Sequence, residues 1–150
     1  YHTLIQFLDD HDINHSVDSD RQAICAQVRG RHAVYPVVAV VDAEDDLFRA
    51  LGYAPVIVPE GSRTAIAEPI PRANHGLRVG KFELDLDDGE LRFQISHILT
   101  DGSLDEEVIR RIIGRLIAML DRYVPAVLSV IYGNELPKDA ISNVEDERSS

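Results

Sequence analysis

Two histidines open the search for chemistry. His11-Asp12-Ile13-Asn14-His15 sets them four residues apart, the spacing that puts two imidazoles on one helical face in H-E-x-x-H zinc sites. Here Asp stands where the longer Glu base would be, Ile-Asn reads as a helix ending, and no third ligand follows. The segment reads as an exposed helix end. Asp85-x-Asp87-Asp88-Gly89 has the acids of a calcium loop, but an EF-hand needs acids at positions one, three and five before the glycine. Those positions fall on Leu84, Leu86 and Asp88, so the spacing fails. Gly76-x-x-x-Gly80-Lys81 is one residue short of a phosphate-binding loop, and Phe82 replaces the magnesium-holding hydroxyl. There is no G-x-S-x-G, and Cys25 has no basic or histidine neighbour in sequence. No nucleophile–base pair emerges, so no catalytic residue, metal or cofactor is expected. The competing expectation is a small-molecule or metal-dependent enzyme. Its site would be assembled from scattered acids and His11, His15, His75 and His97.

The elements that would position any site are clearest between Lys81 and Gly133. Phe82, Leu84 and Leu86 alternate with polar residues, as do Leu91, Phe93 and Ile95, with Asp88-Gly89 between the runs. That dipeptide predicts a two-residue type I′ hairpin pairing Leu86 with Leu91, Leu84 with Phe93, Phe82 with Ile95, and Asp85 with Arg92. Ser103-Leu104-Asp105-Glu106 then reads as a capping box, with Ser103 as N-cap. The helix behind it should run to about Tyr132, kink near Asp121–Arg122 because of Pro125, and end at Gly133. Glu107, Arg111, Gly114, Arg115, Arg122 and Ser129 make its polar stripe. The apolar arc opposite is about 200° wide, against the usual ~100°. Ile109, Ile112, Leu116, Leu120, Tyr123 and Val127 form its centre. A sheet would cover the centre, leaving a flank of Ile113, Ile117, Val124, Leu128 and Ile131 for another cover or a partner.

Upstream, residues 2–11 read as a short helix. Residues 23–30, 34–42 and 47–53 read as strands. The Val34–Val41 run is apolar on both faces, which suits a central strand covered on both sides, and Cys25 reads as a buried small hydrophobe. A short helix is expected at 62–68 with Ser62 as N-cap, followed by an irregular stretch through Pro69 and Pro71. Residues 138–150 read as a solvated tail, leaving 1–137 as one domain.

Composition sets the class. A chain of 150 residues, 45% hydrophobic and 27% charged, is an ordinary globular domain that needs no metal or disulfide staple. Its formal net charge of −11 repels phosphate backbones, so nucleic acid is not an expected partner. A single cysteine permits no intrachain disulfide, which fits a cytoplasmic location. No apolar run approaches the ~20 residues needed to span a membrane.

The chain resembles the YbjN-domain family, a bacterial family known as sensory transduction regulators. The resemblance rests on Asn74-His75-Gly76-Leu77, Gly80-Lys81-Phe82-Glu83-Leu84-Asp85, and Asp88-Gly89-Glu90-Leu91-Arg92-Phe93. It continues through Asp121-Arg122-Tyr123-Val124-Pro125-Ala126 to Ile131-Tyr132-Gly133. Pro69 and Pro71 depart from the continuous helix of that family. The resemblance implies an α+β fold like the type III secretion chaperones, an antiparallel sheet with helices in the order αβββαββα. It also implies a homodimeric, non-enzymatic protein-binding module, a regulator or chaperone-like adaptor. Partner contact is expected through Ile113, Ile117, Val124, Leu128 and Ile131, or by pairing along a sheet edge.

Overall fold

The computed structural model describes residues 1–133 and 135–149. The chain opens with α1 (His2–Asp10), continues through β1 (His15–Asp18), β2 (Ala23–Arg29), β3 (Val34–Asp42) and β4 (Leu47–Tyr53), and makes a short 3-10 turn at Glu60–Ser62. Then come α2 (Arg63–Ala67), α3 (Pro69–His75), β5 (Lys81–Leu84), β6 (Leu91–Ile98), α4 (Glu106–Tyr132) and α5 (Pro137–Ser149). The strands form one antiparallel sheet in the order β1-β2-β3-β4-β6-β5. The architecture is mixed α+β, as expected. The sheet has one more strand than the sequence reading gives, because β1 (His-Ser-Val-Asp) is four residues long with a single aliphatic side chain and shows no alternation.

The helices lie on one face of the sheet. Tyr35, Val37, Ala39 and Val41 point into that face from β3, with Phe48 and Ala50 beside them on β4 and Phe93 and Ile95 on β6, all buried. α4 crosses this layer over Gly52, where an added Cβ would sit 2.6 Å from a Leu120 methyl, so the absent side chain lets the helix approach. Leu116 and Leu120 are fully buried there, and a buried leucine stabilises by about 1.5–3 kcal/mol. α1 and α5 pack against α4, and α2 and α3 fill the corner over β5.

Several local expectations need correction. β5 and β6 pair Leu84 with Leu91, Phe82 with Phe93 and Glu83 with Arg92, two residues away from the predicted register. The loop is Leu86–Gly89, not Asp88-Gly89 alone. Arg63 from α2 explains the change: its guanidinium donates to the Leu86 and Asp87 carbonyls (3.3 and 2.9 Å), while the Val58 N–H donates to the Gly89 carbonyl (2.9 Å). Asp85 and Asp88 add local turns by accepting from the Asp87 and Glu90 N–H groups, both at 2.8 Å. A two-residue slip keeps every side chain on its face, so the alternation alone does not distinguish the registers. Leu86 is consequently 59% exposed.

Asp105, not Ser103, caps α4, accepting from the Glu107 N–H at 2.7 Å. As expected, the helix contains Pro125 and runs to Tyr132, with Gly133 after it. Pro69 starts α3 instead of breaking a helix, since a proline in the first turn removes an N–H that has no intrahelical acceptor. Ser62 stands at the N-cap of α2 but makes no side-chain cap bond. Where a solvated tail is expected, α5 docks with Ala140 and Ile141 buried; Ser150 lies outside the described residues.

Candidate functional site

The five flank residues of α4 separate in the structure. Ile113 and Val124 are 6% and 3% exposed, sealed inside the domain, and are not available to a partner. Val124 shares a small apolar pocket with Ile141 of α5, the cover that the sequence reading omits. Ile117, Leu128 and Ile131 remain partly buried against the core. On the β5 edge, the Asn74 side-chain amide donates to the Phe82 carbonyl (2.9 Å) and accepts from the Phe82 N–H (2.7 Å), which occupies the outward backbone groups of that one residue.

The four histidines sit on different elements. His11 lies against the Phe7 carbonyl at 2.9 Å, at the end of α1. His15 lies in β1 between the Ile13 carbonyl (2.9 Å) and Asp9 (3.7 Å). His75 ends α3, and His97 pairs with Phe48 across the sheet. None of them lines the cavities described here, and no three His, Cys, Asp or Glu side chains gather as metal ligands among the described residues.

What the sequence reading missed is the other face of the sheet. Val34, Pro36, Val38 and Val40 of β3 point away from the helices and are half-buried or exposed, so the expected second cover is absent among the described residues. The cross-strand row through Val38 runs Ser16, Cys25, Val38, Leu51, Gln94, Lys81. Cys25 is exposed there, not buried as expected. The β4–β6–β5 side of this face is polar. Arg92 donates to Glu83 at 3.0 Å, and Arg49 reaches Gln94 at 3.4 Å. Burial works against the Arg92 cation, but bonding to Glu83 and Tyr53 raises its pKa. An open antiparallel face normally alternates to polar residues. On β3 the outward positions from Val34 to Val40 are all apolar.

A second built feature ties the β2–β3 turn to α4. The Arg31 and His32 N–H groups donate to the Asp121 carboxylate at 2.7 and 3.1 Å, and the Tyr35 hydroxyl donates to it at 2.7 Å. Burial opposes the Asp121 charge, but these donors outweigh it and hold the carboxyl below its ordinary range. Burial, reinforced by the carboxylate, pushes the Tyr35 hydroxyl far up. A Cβ on Gly30 would meet both Asp121 and Tyr35 at 2.6 Å. This latch forms one end of a groove of about 920 Å³ between the turn, α4 and α5. A second groove, about 730 Å³, flanks the N-terminal half of α4, and the two meet at Ala118.

Comparison with known proteins gives a consistent family. Residues 2–129 match the family YbjN, described as "Putative bacterial sensory transduction regulator". The fold is similar to "YbjN, a putative transcription regulator from E. coli", with a TM-score of 0.53 and 17% identity over 87% of this chain and 86% of that one. It is also similar to a chain of the HopA1-SchA chaperone-effector complex, with a TM-score of 0.50 and 13% identity over 80% of this chain and 88% of that one. No curated protein matches the chain.

Proposed function

This chain belongs to the YbjN family, and from that premise we propose that it is a non-enzymatic protein-binding module, a regulator or chaperone-like adaptor. The observation that carries the reading is the uncovered sheet face. Its apolar half, Val34, Pro36, Val38 and Val40, is ordered by the sheet and left bare by the helices, while Leu51, the neighbour of Val38 on β4, is buried. A contiguous apolar patch with a polar border is the usual anatomy of a protein-binding surface. The similarity to a chain of a chaperone–effector complex supports the same role for this fold. An exposed free thiol on that face, Cys25, suits work in the reducing cytoplasm. Self-association would use what α1 and α5 leave accessible on the α4 flank, Ile117, Leu128 and Ile131. Sedimentation equilibrium at tens of micromolar decides that part, and a strict monomer removes it.

The test of the main reading uses Cys25 as reporter. A partner recovered with the native chain should slow the reaction of Cys25 with a maleimide. A Val34→Thr/Val38→Thr/Val40→Thr variant should lose that partner while keeping its circular dichroism. Unchanged capture by this variant, or unchanged Cys25 reactivity in the complex, refutes the assignment of the face.

A further inference from the structure

The solvent side of α4 reverses the sign of the molecule. The chain carries 26 Asp and Glu against 15 Lys and Arg, yet this helix exposes Arg110, Arg111 and Arg115 and partly exposes Arg122. The acids of the helix itself, Glu106, Glu107 and Asp121, are one fewer than its arginines. Glu107 serves Arg110 and Arg111 together, with Arg111 at 3.1 Å. Asp121 is committed to the β2–β3 turn and Tyr35. Glu135, in the larger groove, accepts from the Ser129 hydroxyl at 2.6 Å and the Asn143 amide at 2.8 Å. No ion pair engages Arg115 or Arg122 among the described residues, and Arg122 lies over the Tyr123 ring at 5.9 Å.

These arginines border a shaped surface. The smaller groove is walled by Arg110, Arg111 and Arg115, no acid lines it, and Val79 and Met119 contribute accessible apolar surface above the buried Ile112. A Cβ on Gly114 would meet nothing within 4 Å, so a partner backbone has room to approach. At Ala118 this groove joins the larger one, which adds Arg31, His32 and Arg122. Every cation of α4 is arginine, whose planar fork matches carboxylates in a bidentate way that lysine does not.

We propose that this arginine-walled trough docks an acidic segment of a partner polypeptide, its carboxylates on Arg110, Arg111, Arg115 and Arg122 and its apolar side chains on Val79 and Met119. The charge complementarity selects an acidic occupant. The net charge of −11 disfavours a polyphosphate, whose whole backbone would meet the acidic remainder of the surface. The proposal rests on the protein-binding reading only in that its occupant is a polypeptide. The trough lies on the helical side, opposite the bare sheet face, so the two fail separately.

The test is fluorescence anisotropy with three labelled probes of matched length: a peptide of alternating Glu and Leu, its Gln and Leu counterpart, and an oligothymidylate. The Glu peptide should bind, and should weaken as salt rises. The Gln peptide should bind at least tenfold more weakly. Arg111→Gln/Arg115→Gln should weaken the Glu peptide at least tenfold. The Val34→Thr/Val38→Thr/Val40→Thr variant should leave it unchanged, which separates this site from the sheet face. Equal binding of the two peptides, indifference to the arginine substitutions, or oligothymidylate binding as tightly as the Glu peptide would overturn the proposal. So would a dimer that the arginine substitutions dissolve, because the occupant would then be a second copy of the chain.

Discussion

Asp121→Asn probes the latch with almost no change of shape. The native carboxylate receives three donors: the Arg31 N–H on one oxygen, the His32 N–H and the Tyr35 hydroxyl on the other. Asparagine keeps one oxygen for His32 and Tyr35 and turns an NH₂ toward the Arg31 N–H, setting donor against donor. A hydrogen bond to a charged group contributes about 1.5–3 kcal/mol, and the exposed turn argues for the lower part of that range. We expect a loss of ~2 kcal/mol, or about 4–8 °C in Tm for a chain of this size. Tyr35→Phe removes one donor from the same carboxylate and should cost ~1.5 kcal/mol. The double variant should fall short of the sum by about 1 kcal/mol, because the two changes delete a shared bond. The pH dependence has a fixed sign. The folded carboxyl titrates below its ordinary range, so its stabilisation is complete above that range and is lost as pH falls through the folded pKa. The gap between the native chain and Asp121→Asn should therefore be widest near neutrality and close in acid. Urea unfolding at several pH values measures it. Additive single effects, or a gap that does not change with pH, would refute the latch.

Other outcomes follow from single contacts. Gly89 has φ +80°, and a Cβ there would lie 2.2 Å from the Val58 carbonyl oxygen, so Gly89→Ala should cost about 2–4 kcal/mol in urea unfolding. A change below about 0.5 kcal/mol would mean that the loop is not held by Val58 and Arg63. Ile141→Ala should cost about 2–3 kcal/mol and increase dye binding to exposed apolar surface, since Ile141 is 6% exposed. A solvated tail would instead give a change within about 0.5 kcal/mol. Cys25 should react stoichiometrically with a thiol reagent in the absence of denaturant, and protection in the isolated chain would contradict its exposed position.

The fold was most legible where a strand's neighbours add nothing to its own pattern. Ala23–Arg29, Val34–Asp42 and Leu47–Tyr53 fall within one residue of the ends read from composition and turn residues. Legibility failed where a distant side chain outbid a local rule. Asp88-Gly89 is a sound hairpin signal, but Arg63, more than twenty residues upstream in sequence, binds two carbonyls of the loop and stabilises a longer one. The α5 signal was present in the spacing of Leu136, Ala140, Ile141 and Val144, masked by the charges around them. The prolines at 69 and 71 were weighed as breakers when their place in a first turn makes them starters.

The candidate surface was half legible, for a physical reason. Alternation reports that both faces of Val34–Val41 are apolar, and it carries no information on what covers each. The cover depends on how much helical surface the rest of the chain supplies. α4 presents an apolar arc wide enough to meet β4 and β6 and also to receive α1 and α5. That arc looked like surplus when α5 was read as a tail, so the spare apolar area was assigned to the helix. Once α5 docks, Ile113 and Val124 are satisfied and the helices are spent on one side of the sheet. The unpartnered apolar area then belongs to the sheet, at Val34, Pro36, Val38 and Val40. With the apolar arc of α4 turned inward, its arginines are left facing water, where their charge opposes that of the whole chain.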